Sequence, residues 1–229
     1  MKELAIPMHV REYRSPLAAT EKRILLWLAE RMPKSVNSDH LTLMGFFGIL
    51  LAGVSFRASA WDKRALFLVI VGLAVNWFGD SLDGTLARVR NRQRPRYGYY
   101  TDHVLDLIGT SVLVLGMSLS GFMSPLVGFG FLIAYLMVMA EVFLSTHVQH
   151  VFRMSFMGFG PTELRILLAT GVLFLFRKPV VKIAGNGPFL LFDVGGVFAI
   201  VGLTAALLIS AYRNIRTLYR QETLPRQRT

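Results

Sequence analysis

Four aspartates placed between two long apolar runs restrict what this chain can become. Residues 65–78 and 104–120 are almost wholly apolar, and Asp80, Asp83, Asp102 and Asp106 stand where those runs approach each other. If the first run continues as helix, Asp80, Asp83, Gly84, Ala87 and Arg88 follow the i, i+3, i+4, i+7, i+8 pattern of a single face. Gly98, Asp102 and Asp106 are four residues apart, so a second helix would also present a glycine and two carboxylates on one side. Two such helices facing each other would gather four carboxylates. At membrane depth each charge costs ~2.5–3.5 kcal/mol even on the lenient insertion scale, so something cationic has to offset them. A divalent metal with oxygen ligands is the natural candidate, because Mg²⁺, Mn²⁺ and Ca²⁺ prefer carboxylates and the chain has no cysteine for softer ions. Gly84 and Ala87 let a ligand approach the backbone, and Arg88 can fork onto phosphate oxygens. The stretch reads as a metal–diphosphate site.

Composition supports a membrane setting for it. Of 229 residues, 53% are hydrophobic and 17% charged, outside the balance of soluble domains. The net charge of +11 is spread between apolar spans instead of clustered on a polar domain, which fits anionic lipid headgroups better than nucleic acid. Absence of cysteine excludes disulfides and thiolate catalysis. The polar N-terminus lacks the apolar core of a cleavable signal peptide.

Taken in order, the chain predicts an all-α polytopic membrane protein, with an N-terminal segment 1–36 and a six-helix transmembrane catalytic domain 37–229. Ser15 and Pro16 suit the cap and first position of a helix ending before Pro33. Its Leu17, Ile24, Leu25, Leu28 and Met32 stripe is that of an amphipathic helix lying in the membrane interface. The predicted spans are 40–56, 65–78 (running on into the Asp80 face), 104–120, 126–143, 164–176 and 189–212. Gly109 and Gly116 would permit close packing of the third span, and Asn76 would serve either as a ligand or as an interhelical hydrogen-bonding group. His147 and His150 lack a third ligand and are left out of the metal site. Arg213, Arg216 and Arg220 fall on one face of the last helix's extension, where headgroups would meet them.

Six spans put both termini on one side. With loops assigned accordingly, Arg165 among them, 19 of the 25 Lys and Arg residues lie on the side of the termini and of the Asp80 to Asp106 stretch, and 6 on the other. That asymmetry predicts cytoplasmic termini and a cytoplasm-facing site.

The eight positions Asp80, Asp83, Gly84, Ala87, Arg88, Gly98, Asp102 and Asp106 resemble the signature of the CDP-alcohol phosphotransferase family of membrane enzymes. One spacing departs: nine residues, 89–97, separate Arg88 from Gly98, where the family pattern has eight. The start of the first span, Asp39 to Gly45 with Thr42, is similar to a second family pattern, with Ser38 and Asp39 replacing its Pro-Asn. The Gly160-Pro161-Thr162-Glu163 run and the Asp102-His103 pair resemble the aminoalcohol branch. The resemblance implies metal-dependent transfer of a substituted phosphate from a CDP-linked donor to an alcohol hydroxyl, with release of CMP, in phospholipid biosynthesis. Donor and acceptor would be CDP-diacylglycerol with a small polar alcohol, or a CDP-aminoalcohol with diacylglycerol. It implies that Asp80, Asp83, Asp102 and Asp106 hold Mg²⁺ or Mn²⁺, two ions in all, that Asp106 is the catalytic base, and that Gly84, Ala87, Arg88 and Gly98 contact substrate. A homodimer is also implied, and no nucleic-acid partner. The competing reading is a cation or proton transporter using intramembrane carboxylates; it accounts for the acids but not for Gly84, Ala87, Arg88 and Gly98 at their spacing.

Overall fold

A computed structural model describes residues 17–149, 161–183 and 185–222. Ser15, Pro16, His150 and residues 158–160 lie outside them. The described chain runs α1 (Ala18–Arg31), α2 (Ser38–Ala58), α3 (Ala65–Val89), α4 (Pro95–Ser118), α5 (Pro125–Gln149), α6 (Pro161–Leu175), β1 (Val180–Ile183), β2 (Asn186–Leu190) and α7 (Leu191–Gln221).

Helices begin where local chemistry allows. Asn37 caps α2: its Oδ1 accepts from the His40 amide at 2.9 Å, and His40 Nδ1 accepts from the Asn37 amide at 3.4 Å. Pro95 opens α4 at a position whose amide would have no helical partner. The expected all-α fold is interrupted by one antiparallel ribbon, with Val180 opposite Leu190 and Val181 opposite Phe189. β-branched residues between Pro179 and the turn at Gly185 favour that hairpin. It also sets the start of α7 at Leu191, inside the span expected from 189.

Among the described residues four helices, α2, α3, α5 and α7, are long and apolar enough to cross a membrane, so the protein is an integral membrane protein. Four of the six expected spans fall on these helices, and the other two, 104–120 and 164–176, fall on α4 and α6. The 24-residue α4 carries Arg96, Asp102, His103 and Asp106 in its first half. The 15-residue α6 reaches only about 23 Å, against a hydrocarbon core of about 30 Å.

Small residues set the packing. A side chain added at Gly79 of α3 would place its Cβ 2.4 Å from the Gly45 nitrogen and from the Leu41 oxygen of α2. On the other side of α2, a Cβ at Gly116 of α4 would lie 1.9 Å from the Gly53 oxygen, and one at Gly109 would lie 2.4 Å from Ile49 Cγ2. Thus α2 is the shared wall on which α3 and α4 both lean, backbone against backbone. Below the aspartates, Phe56, Leu66, Val69, Val172 and Leu175 form a buried core joining α2, α3 and α6. Above, Leu25 and Ala29 of α1 are buried against Leu41, Leu82 and Leu86, with Leu28 and Met32 packed beside them. The expected α1 stripe therefore divides: Leu25, Leu28 and Met32 anchor the helix to the bundle, while Leu17 and Ile24 stay exposed with Leu26 and Trp27. The helix's apolar residues cover more than one face, so a single stripe could not describe it. On the far side α7 packs on α5, and Gly196 is its one buried residue.

Candidate active site

Asp83 is the most enclosed of the four aspartates, 5% exposed. Thr42 Oγ1 donates to its Oδ2 at 2.6 Å, the Gly84 amide donates to its Oδ1, and Ser38 Oγ donates to its backbone oxygen at 2.9 Å. The start of α2 is thus built around Asp83, which gives Thr42 a definite task. Two donors on the carboxylate itself satisfy a charge that burial would otherwise penalise, and the Ser38 contact fixes the backbone beside it.

One turn earlier, Asp80 pairs with Arg165 of α6, whose Nε also donates to Asn76 Oδ1 at 2.8 Å. Asn76 is buried, and its Nδ2 donates to the Gly45 oxygen at 3.0 Å. Its place is therefore interhelical, between α2 and α6. Asp102 and Asp106 are half-buried on α4. On α5, Tyr135 is hydrogen-bonded to the Thr110 side chain and lies within electrostatic reach of Asp106, Arg165 and Asp80. Asp80 of α3, Asp106 of α4, Tyr135 of α5 and Arg165 of α6 therefore converge on one region. His103, next to Asp102, turns instead into the α4–α5 contact: its ring lies 4.2 Å from that of Tyr99 and 5.3 Å from that of Phe143, centroid to centroid.

The substrate-facing candidates have room around them. Apart from its own helix backbone and chain neighbours, no heavy atom of the described residues stands within 4 Å of where a Cβ on Gly98 would be, and at Gly84 such a carbon would meet Arg88 Nη1 at 3.4 Å, so the guanidinium lies over that glycine. Arg88 is exposed, with Nη2 donating to Thr85 Oγ1 at 3.0 Å, and Ala87 is half-buried. The nine-residue linker is held at both ends. Arg90 Nη2 donates to the Met32 and Pro33 oxygens, both at 2.9 Å, and Arg94 pairs with Asp39. Asn91, at φ 52°, takes the left-handed turn that ends α3.

The donor set, four carboxylates and no thiol, fits a hard divalent cation. Among the described residues no three Asp, Glu or His side chains stand close enough to share one ion. Two of the four aspartates have protein partners: Asp83 is turned to Thr42 and the Gly84 amide, and Asp80 to Arg165.

The CDP-alcohol phosphatidyltransferase family profile matches residues 36–214. That range contains all eight signature positions and every element from α2 through most of α7, and the chain belongs to this family. Among curated proteins it is similar to the archaetidylinositol phosphate synthase of Methanothermobacter thermautotrophicus. The two are 27% identical over 125 residues, covering 52% of this chain and 60% of that relative's length.

Two residues of the convergent region escape the sequence reading. Arg165, counted there among loop charges, lies inside α6 on Asp80. A lone cation in the run Leu164-Arg165-Ile166-Leu167 is itself a signal, since such a charge within an apolar helix has to find a partner. Tyr135 carries no comparable signal, because one tyrosine in an apolar span reads as core.

Proposed function

We propose that this protein transfers a substituted phosphate group from a CDP-linked donor to an alcohol hydroxyl, releasing CMP, as a step in phospholipid synthesis. The observation that carries the reading is the family match over the whole eight-residue signature, together with the convergence of Asp80 and Asp106 from separate helices. In the reaction the alcohol oxygen bonds to the phosphorus bearing the substituent, and the bond from that phosphorus to the CMP oxygen breaks. Asp106 takes the alcohol's proton. Arg88, exposed beside Gly84, reaches diphosphate oxygens while Gly84, Ala87 and Gly98 leave space for the nucleotide against backbone. Asp80, Asp83, Asp102 and Asp106 would hold one or two Mg²⁺ or Mn²⁺ ions, which when bound supply positive charge opposite the diphosphate and the departing CMP.

The relative named for making archaetidylinositol phosphate favours a small polar acceptor of the inositol class over diacylglycerol as acceptor. Membrane topology follows the same proposal: α4 and α6 join those four helices as two further spans, and the charge asymmetry favours cytoplasmic termini and a cytoplasm-facing site. The deciding experiment is CMP release by purified protein with Mn²⁺, screened with CDP-diacylglycerol and CDP-aminoalcohol donors against a panel of alcohols. Turnover with one donor, abolished by Asp106→Asn, is expected. Near-wild-type release by Asp106→Asn would remove Asp106 from the base role, and inertness towards every CDP ester would remove the function.

A further inference from the structure

The site-facing end of α6 is held by unusual means. Its lower end is buried through Val172 and Leu175, but Leu164, Ile166 and Leu167 are all more than half exposed. In the first two turns only Thr162 is buried. What fixes that end to the bundle is polar. Arg165 reaches Asp80 and Asn76, and Thr162 Oγ1 donates at 2.5 Å to Glu21 Oε1 of α1. The same Glu21 oxygen accepts from Trp77 Nε1 of α3 at 3.0 Å. Trp77 is the residue after Asn76, and Thr162 lies three residues before Arg165, one turn along the helix. A second strand of the same joint is the Leu17 amide donating to Glu163 Oε1 at 3.4 Å.

From this arrangement we infer that Glu21 is a positioning residue: one carboxylate oxygen clamps α6 to α3 a turn from the Arg165–Asp80 contact and so sets how firmly Arg165 occupies Asp80. The inference rests on the proposed cation site at Asp80 for its functional consequence, though not for the clamp itself. Among the described residues Leu168 is the one apolar side chain of these two turns packed on the core, so the polar contacts carry most of the hold on this end of α6. The guanidinium and a divalent cation both seek the Asp80 carboxylate, so loosening the first admits the second. The acceptor, and not the charge, is what Trp77 and Thr162 require, and a glutamine at position 21 can provide it.

The test uses the full chain in detergent micelles with two readouts. Amide hydrogen exchange over residues 162–167 reports the clamp. It is expected to quicken by at least about tenfold in Glu21→Leu, to quicken less in Thr162→Val, and to stay near wild type in Glu21→Gln, as loss of a half-buried shared acceptor predicts. Mn²⁺ binding, followed by electron paramagnetic resonance, reports the consequence. Arg165→Met is expected to tighten binding by about tenfold, Glu21→Leu by about threefold, and Glu21→Leu added to Arg165→Met to change nothing further. Unchanged exchange in both Glu21→Leu and Thr162→Val overturns the clamp, as does equal quickening in Glu21→Gln. Additive effects on Mn²⁺ affinity overturn its action through Arg165. Should wild-type protein bind no Mn²⁺, the cation site fails while the exchange data still decide the clamp. If Glu21→Leu does not fold, Thr162→Val and Glu21→Gln give the same contrast.

Discussion

Gly79→Ala is a one-carbon change with a calculable consequence. The new Cβ would stand 2.4 Å from the Gly45 nitrogen and from the Leu41 oxygen, and 2.6 Å from the Gly45 Cα. All of these are backbone atoms, so no side chain can swing away. Restoring ordinary contact requires α2 and α3 to part by about 1 Å, at a cost of roughly 1–3 kcal/mol for overpacking. Asp83 lies one turn further along α3, where Thr42 of α2 holds it at 2.6 Å. Parting by about 1 Å takes that contact beyond hydrogen-bonding range and leaves a buried carboxylate short of a donor, adding roughly 1–3 kcal/mol. Misplacing a reacting group on this scale lowers turnover by about 10²-fold. The assay is the initial rate of CMP release with whichever donor supports turnover, alongside thermal unfolding in detergent. The control is Gly202→Ala in α7, where nothing lies within 4 Å; it should keep wild-type rate and gain slightly in stability through helix propensity. A Gly79→Ala enzyme with wild-type rate and melting point would refute the argument that the α2–α3 backbone contact places the aspartates.

Three further expectations follow from single contacts. Thr42→Val should lose roughly 1–3 kcal/mol of stability and most CMP release, with Thr42→Ser retaining both, as measured by unfolding and turnover; equal behaviour of the two variants would contradict the bond to Asp83. Asp193 Oδ1 accepts from the Ser124 amide at 2.7 Å, next to the start of α5, so Asp193→Ala should cost about 1 kcal/mol in thermal stability and leave the turnover rate intact. Arg88→Ala should raise the KM for the CDP donor by at least tenfold, since a charge-assisted contact to phosphate is worth about 1.5–3 kcal/mol. An unchanged donor KM would place the diphosphate elsewhere.

Much of this arrangement could be read from spacing. The three- and four-residue intervals of the aspartates predicted which residues share a helix face, because helical periodicity is local. The length of α3 and the joining of Gly109 and Gly116 to a neighbouring helix were legible for the same reason. What spacing could not supply was the choice of partner. Nothing near Asp83 in sequence announces Thr42, and nothing near Asp80 announces Arg165, which stands 85 residues away. Those contacts depend on how the helices lean on α2, a tertiary fact. The hairpin at 180–190 was missed because its first strand falls in the connection between the spans 164–176 and 189–212, while Phe189 and Leu190 read as the start of the last span. The division of the α1 stripe was missed because amphipathicity does not say which apolar residue meets lipid and which meets protein.

The 85-residue interval between Asp80 and Arg165 also orders events at the ribosome. With elongation at about 5–20 residues per second, Asp80 is made roughly 4–17 seconds before the arginine that will neutralise it. For that period Asp80 has no Arg165 to pair with, at a cost of ~2.5–3.5 kcal/mol wherever the carboxylate enters the hydrocarbon. The Asp80 end of α3 therefore reaches its final electrostatic setting only once α6 has been made.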